Sequence, residues 1–124
     1  MMNPRFFVCE HCGNQIELID DHGVPVMCCG QPMSELIPGT VDASHEKHIP
    51  QPEVVDGKVI VRVGSVEHPM TKEHYISFFS YVRFDRVLTV KLYPEQSSEV
   101  RFPQMRGGKM YFYCNEHGLF ELKI

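Results

Sequence analysis

Four of the five cysteines of this 124-residue chain crowd into one N-terminal stretch, as Cys9, Cys12, Cys28 and Cys29 in the pattern C-x2-C-x15-C-C. No other feature restricts the fold so strongly. A unit of about 35 residues cannot bury enough apolar surface to fold unaided, and needs disulfides, a metal or a partner chain. In a reducing compartment, clustered cysteines are more often metal ligands than disulfide partners, and five is an odd number to pair. Four thiolates suit zinc or iron in tetrahedral geometry, and a C-x2-C turn sets two sulfurs close enough to share one ion. Cys28 and Cys29 depart from the usual zinc ribbon because they are adjacent, so their side chains must diverge from one backbone step to reach the same ion. The spacing predicts a metal and leaves zinc and iron both open. A structural zinc knob and a metal-free redox dithiol are the alternatives. Between the pairs, Gln15-Ile16-Glu17-Leu18-Ile19 and the turn-rich Asp20-Asp21-His22-Gly23-Val24-Pro25 predict a hairpin.

From Ile37 onward the pattern is one strand after another. Apolar and β-branched runs at 59–63, 75–84, 87–93, 109–114 and 119–124 are set off by turn signals such as Asp56-Gly57 and Gly107-Gly108. No segment has a helical period. Pro38, Pro50, Pro52, Pro69, Pro94 and Pro103 punctuate this half at positions that suit turns or sheet edges. Mainly β structure follows: a small metal-bound hairpin domain over 1–36, then an antiparallel β-sandwich over 37–124. A net charge of -4 and a pI near 5.9 offer no continuous basic face, which argues against nucleic acid as a partner. The apolar stretches are strand-sized and polar-interrupted, and Met1-Met2-Asn3-Pro4-Arg5 lacks the apolar core of a signal peptide. The expectation is a cytoplasmic protein with no membrane partner.

A second constellation is dispersed over the sandwich: His48, His68, His74, and Cys114 with His117 in a C-x2-H pair. Each falls at a strand end or in a turn. The loops at one end of a sandwich converge, so ligands distant in sequence can meet around one ion. Four imidazoles and a thiolate exceed the ligand count of a closed structural zinc site and suit a five-coordinate iron with one position open for chemistry. Each histidine taken alone also reads as an ordinary surface or turn residue, and composition does not choose between the two.

Taken together and in order, these motifs resemble the desulfoferrodoxin family of superoxide reductases along nearly the whole chain. The cysteine pattern is similar to that family's desulforedoxin-like N-terminal domain. Glu46-Lys47-His48 with Pro50, His68-Pro69-Met70 with Glu73-His74-Tyr75, and Cys114-Asn115 with His117-Gly118-Leu119 are similar to its catalytic-domain signatures. The resemblance implies two iron ions per chain. One would be an Fe(Cys)4 centre on Cys9, Cys12, Cys28 and Cys29; the other would have His48, His68, His74 and His117 as equatorial ligands and Cys114 as axial ligand. It further implies an immunoglobulin-like sandwich, a homodimer in which the small domains pair, and rubredoxin as electron donor. The implied reaction is one-electron reduction of superoxide to hydrogen peroxide, part of oxygen detoxification in an anaerobe or microaerophile. Lys47 would draw the anion in and help to deliver a proton through water. Glu46 would be the carboxylate that occupies the sixth position of the oxidised iron and leaves on reduction. Without the resemblance both read as solvated loop residues.

Other residues carry less. His11, His22 and His45 read as surface histidines, and Met70 and Tyr75 as packing. The family often carries tryptophan near the site; this chain has none, with Phe78, Phe79 and Phe120 in the matching neighbourhoods. The rival functions are a non-catalytic iron electron carrier, a zinc-stabilised module, and a superoxide dismutase, which would take the same substrate but evolve oxygen.

Overall fold

A computed structural model of the chain describes residues 3–40, 50–63, 69–97, 99–103 and 107–123. Two compact units emerge, Asn3–Ile37 and the residues from Pro38 on. Among the described residues all regular structure is strand, and no helix is long and apolar enough to cross a membrane.

In the first unit, β1 (Arg5–Val8), β2 (Gln15–Leu18) and β5 (Ser34–Leu36) form an antiparallel sheet in the order β2-β1-β5. Its companion β3 (Met27–Cys28) pairs with β4 (Gln31–Pro32) as a minimal hairpin. Among this unit's described residues only Phe6 and Cys9 are buried. One phenyl ring is far too little apolar area to offset the ordering of so many residues. The sheet therefore depends on cross-links. Arg5 provides one, its Nε and Nη2 each donating to the Glu35 carboxylate at 2.9 Å while Nη1 donates to Asp21. Being well exposed and screened by solvent, this network adds little.

The second unit contains β6 (Gly39–Thr40), β7 (Pro50–Val55), β8 (Lys58–Val63), β9 (Ile76–Arg83), β10 (Arg86–Lys91), β11 (Val100–Pro103), β12 (Lys109–Cys114) and β13 (Gly118–Lys123). A five-stranded sheet in the order β10-β9-β12-β13-β6 faces a three-stranded sheet in the order β11-β8-β7. All pairings are antiparallel except β13 with β6. This is the antiparallel sandwich that the strand spacing predicts, and the family resemblance implies its immunoglobulin-like character. The core forms where alternate residues of the two sheets meet: Val59, Val61, Val100 and Phe102 from one, Phe79, Tyr81, Met110 and Phe112 from the other. The edge strand β7 is not among the sequence expectations, because Pro50 and Pro52 make its sequence look like a turn. An edge tolerates them: it has one free side where a missing N–H costs nothing. Pro103 sits likewise on the opposite edge, β11. The Asp56-Gly57 turn joins β7 to β8 with φ of 51° and 73°, the pair of positive values that a two-residue type I′ hairpin requires.

One irregularity matters for the site. β9 and β12 pair in register up to Tyr113 with Phe78, and then Cys114 pairs with Ile76. Ser77 is the extra residue of this bulge, and its carbonyl accepts instead from the Leu92 N–H at 2.8 Å and from Lys91 Nζ at 3.2 Å. The bulge brings Ile76 opposite Cys114, and both belong to the buried core.

Candidate metal centres

The four N-terminal cysteines are brought together by two turns. After β1, the Gly13 N–H donates to the Cys9 carbonyl and the Cys9 N–H to the Asn14 carbonyl, each at 2.8 Å. This loop aims the Cys12 N–H at Cys9 Sγ, 3.4 Å away. The hairpin of β3 and β4 turns on Cys29-Gly30, with φ of 53° and 75°. Type I′ geometry thus answers the problem of the adjacent cysteines: the left-handed backbone at Cys29 lets both sulfurs reach one cluster. A side chain in that region costs about 1 kcal/mol, and strain of this kind gathers at functional positions. One sulfur from each of the four cysteines lies within 4.8 Å of the others, with Cys12 and Cys28 at 3.7 Å. None of the five cysteines is in a disulfide, and Cys12 and Cys29 are exposed while Cys9 is buried.

Sulfurs this close compete for negative charge. The Cys12 N–H on its sulfur pulls the Cys9 thiol down to about 6. Cys28 is pushed up, chiefly by the sulfur of Cys9, and Cys29 is pushed up to about 12, chiefly by the sulfur of Cys12. At neutral pH Cys9 is therefore a thiolate while Cys28 and Cys29 hold their protons, and a divalent cation must displace those protons to take all four sulfurs. Raised pKa values mean that metal affinity climbs with pH through the neutral range and falls in acid. Calorimetric titration of zinc into metal-free protein at pH 7 should show heats that change with the ionisation enthalpy of the buffer, reporting proton release. Buffer-independent heats would contradict the competition described here.

The second cluster assembles at one end of the sandwich. His74 stands just before β9, in a loop that Thr71 closes: the Thr71 N–H donates to the His74 carbonyl at 3.0 Å, and the His74 N–H donates to Thr71 Oγ1 at 3.1 Å. Met70 packs beneath it, and its Sδ accepts from the Ile76 N–H at 3.4 Å. Cys114 is the last residue of β12 and is wholly buried, whereas His117 lies exposed in the turn into β13. Cys114 Sγ and His117 Nδ1 are 3.5 Å apart. The rings of His74 and His117 are 5.2 Å apart and tilted by 69°. One donor atom from each of His74, Cys114 and His117 lies within 4.8 Å of the others, close enough to share an ion. Glu116 Oε2 is 3.6 Å from His74 Nδ1, too long for a hydrogen bond, and its side chain is half-exposed.

Of the residues singled out from sequence, the structure gathers Cys9, Cys12, Cys28 and Cys29 in one place and His74, Cys114 and His117 in another. His45, Glu46, Lys47, His48 and His68 lie outside the described residues. His11 and His22 are exposed, as surface histidines should be. Sequence reasoning passed over Asn115, which bonds the backbone around His74 through its side-chain carbonyl and amide. The available signal was its chemistry: an asparagine between two candidate ligands can donate and accept at once.

Comparison with known proteins agrees with this arrangement. The family model described as Desulfoferrodoxin matches residues 40–123. A desulfoferrodoxin of Clostridium acetobutylicum is 36% identical over 118 residues, which cover 95% of this chain and 94% of that protein. Among solved structures, the superoxide reductase of Treponema pallidum matches with a TM-score of 0.78 and 29% identity over 97% of both chains. A one-iron superoxide reductase of Giardia intestinalis matches with a TM-score of 0.54 and 26% identity, over 64% of this chain and 97% of its own. A family match that runs the length of the sandwich, and a relative alike over nearly all of both chains, mean that this chain belongs to the desulfoferrodoxin family.

Proposed function

We propose that the chain is a superoxide reductase and that the sandwich cluster is where it reacts. The observation that carries this is the convergence of a buried cysteine, Cys114, with His74 and His117 at one sandwich end, in a member of this family. Thiolate and imidazole donors together suit iron and exclude the hard cations that prefer oxygen. His48 and His68 complete the set by resemblance. These five residues would hold an iron ion, which when bound and ferrous would supply the single electron that superoxide takes up. That the one-iron enzyme from Giardia has a length matching only part of this chain supports placing the reaction in the larger unit.

The roles of Cys114, His74 and His117 follow from burial and donor chemistry, and those of Lys47 and Glu46 from the family resemblance. Cys114 is an anionic, polarisable donor that favours loss of an electron from the centre. Its place in the core cluster with Met70, Ile76 and Phe112 keeps the sulfur away from the peroxide that forms. The imidazole side faces outward, through exposed His117 and partly exposed His74, so a small anion arrives there. Lys47 draws that anion in and relays protons from water. By the same resemblance, Glu46 would be a carboxylate at the substrate side of the centre that gives way to the arriving anion.

The first cluster takes a second iron on Cys9, Cys12, Cys28 and Cys29. Ile19, Val24 and Met27 are exposed on the small unit, and this apolar surface suits pairing with a second copy of the chain. A rubredoxin is the electron donor that we assign. Metal analysis with visible spectra separates this function from its rivals. Two irons per chain with distinct thiolate-to-iron bands are expected; zinc alone would leave only a structural module, and iron on the four cysteines alone would leave an electron carrier.

A further inference from the structure

The turn that carries Cys114 and His117 is bonded to the loop that carries His74 through one residue. The Tyr75 N–H donates to Asn115 Oδ1 at 2.8 Å, and Asn115 Nδ2 donates to the Glu73 carbonyl at 2.8 Å. The Asn115 N–H also donates to the Tyr75 carbonyl at 3.2 Å. Asn115 thereby holds the backbone on both sides of His74, while its own neighbours in the chain are Cys114 on one side and Glu116-His117 on the other. These are full-length hydrogen bonds with both functions of the amide used.

We infer that Asn115 is a positioning residue of the sandwich centre, a clamp that fixes the spacing of His74 against Cys114 and His117. The inference rests on the proposed use of those three residues as ligands. Its physical content is that the ligand loops come from distant parts of the sequence and leave the β9–β12 ladder at this point, where the Asn115 side chain adds two bonds to the last backbone contacts. Without the two side-chain bonds, the His74 loop would be tied to the Cys114 segment by backbone contacts alone, the Cys114–Ile76 pair and the Asn115 N–H on the Tyr75 carbonyl, with the Thr71 turn holding only the shape of the loop itself. Outer residues that orient ligands typically change metal affinity by about 10-fold to 100-fold when lost.

The test uses full-length iron-loaded protein. In Asn115→Ala, iron at the sandwich centre should be lost to a chelator about tenfold more readily. The thiolate-to-iron absorption of the oxidised protein should shift, while the bands of the four-sulfur centre in the same sample stay as they are. Asn115→Asp is measured beside it because it keeps the shape and the acceptor for the Tyr75 N–H but gives up the donor to Glu73. It should melt near the parent protein and still show displaced absorption. Parental absorption and iron retention in both variants would overturn the inference. So would an Asn115→Ala protein that unfolds beside an Asn115→Asp protein with unaltered absorption, since Asn115 would then serve the fold alone. His74→Ala is the control on the ligands: if it too leaves retention and absorption unchanged, the ligand assignment fails and the inference falls with it.

Discussion

Cys114→Ser is expected to slow superoxide reduction by at least about a hundredfold, beyond what loss of an outer partner costs a metal site. The sulfur atom is fully buried, 3.5 Å from His117 Nδ1, and sits at a β-bulge that sets it against Ile76 in the core. Serine nearly preserves the shape but replaces a soft, readily ionised donor with a hard hydroxyl that stays protonated. Burying that hydroxyl costs roughly 1–3 kcal/mol, which a folded domain survives, so activity should fall much further than stability. Pulse-generated superoxide followed by the oxidation of ferrous iron measures the rate, and thermal melting measures the fold. The low-energy thiolate-to-iron band of this centre should vanish in the same variant while the four-sulfur bands persist. Full activity in Cys114→Ser would overturn the mechanism.

The largest effect on stability is expected at Gly108. A Cβ there would lie 2.4 Å from the Val82 carbonyl oxygen and 3.1 Å from Tyr81 Cε1, with φ at +111°. Two of those atoms' residues, Tyr81 and Val82, belong to the most buried strand of the sandwich, which cannot move aside cheaply. Overpacking and backbone strain together make Gly108→Ala cost about 3 kcal/mol or more, a drop of at least roughly 10 °C in Tm. Gly107→Ala is the natural comparison, because its Cβ would meet only Arg83 Nη1 at 3.9 Å and the position has φ of +71°. It should lose about 1 kcal/mol, from backbone strain alone. Similar melting of the two variants would contradict the close approach of Gly108 to β9.

Much of this fold is legible in local pattern. β8, β9, β10, β12 and β13 fall where apolar and β-branched runs predict them, because side chains that enter the core must be apolar, along nearly the whole of β9 and on one face of β10. The short β11 and the proline-bearing β7 are edges, where fewer inward positions exist to write a pattern. β6 is two residues long and parallel to β13, a pairing decided by tertiary contact that no local signal encodes. The four-cysteine cluster is legible because its spacing is itself the constraint, although the means of bringing Cys28 and Cys29 to one point, a left-handed residue in a two-residue turn, emerges only from the backbone. His74, Cys114 and His117 are harder to read. Their meeting depends on loop convergence, on the bulge at Ser77 and on the Asn115 clamp, none of which has a sequence signature beyond residue type. Family resemblance supplied what spacing could not, and the later family match over residues 40–123 agrees with it.

The most direct measurement of the central claim is rapid mixing of the fully reduced, iron-loaded protein with superoxide, reading iron oxidised, hydrogen peroxide formed and oxygen evolved in one experiment. The account predicts peroxide in step with the iron oxidised at the sandwich centre and no oxygen beyond the uncatalysed background. Stoichiometric oxygen with the iron returned to its starting state would show a dismutase instead, and would contradict it.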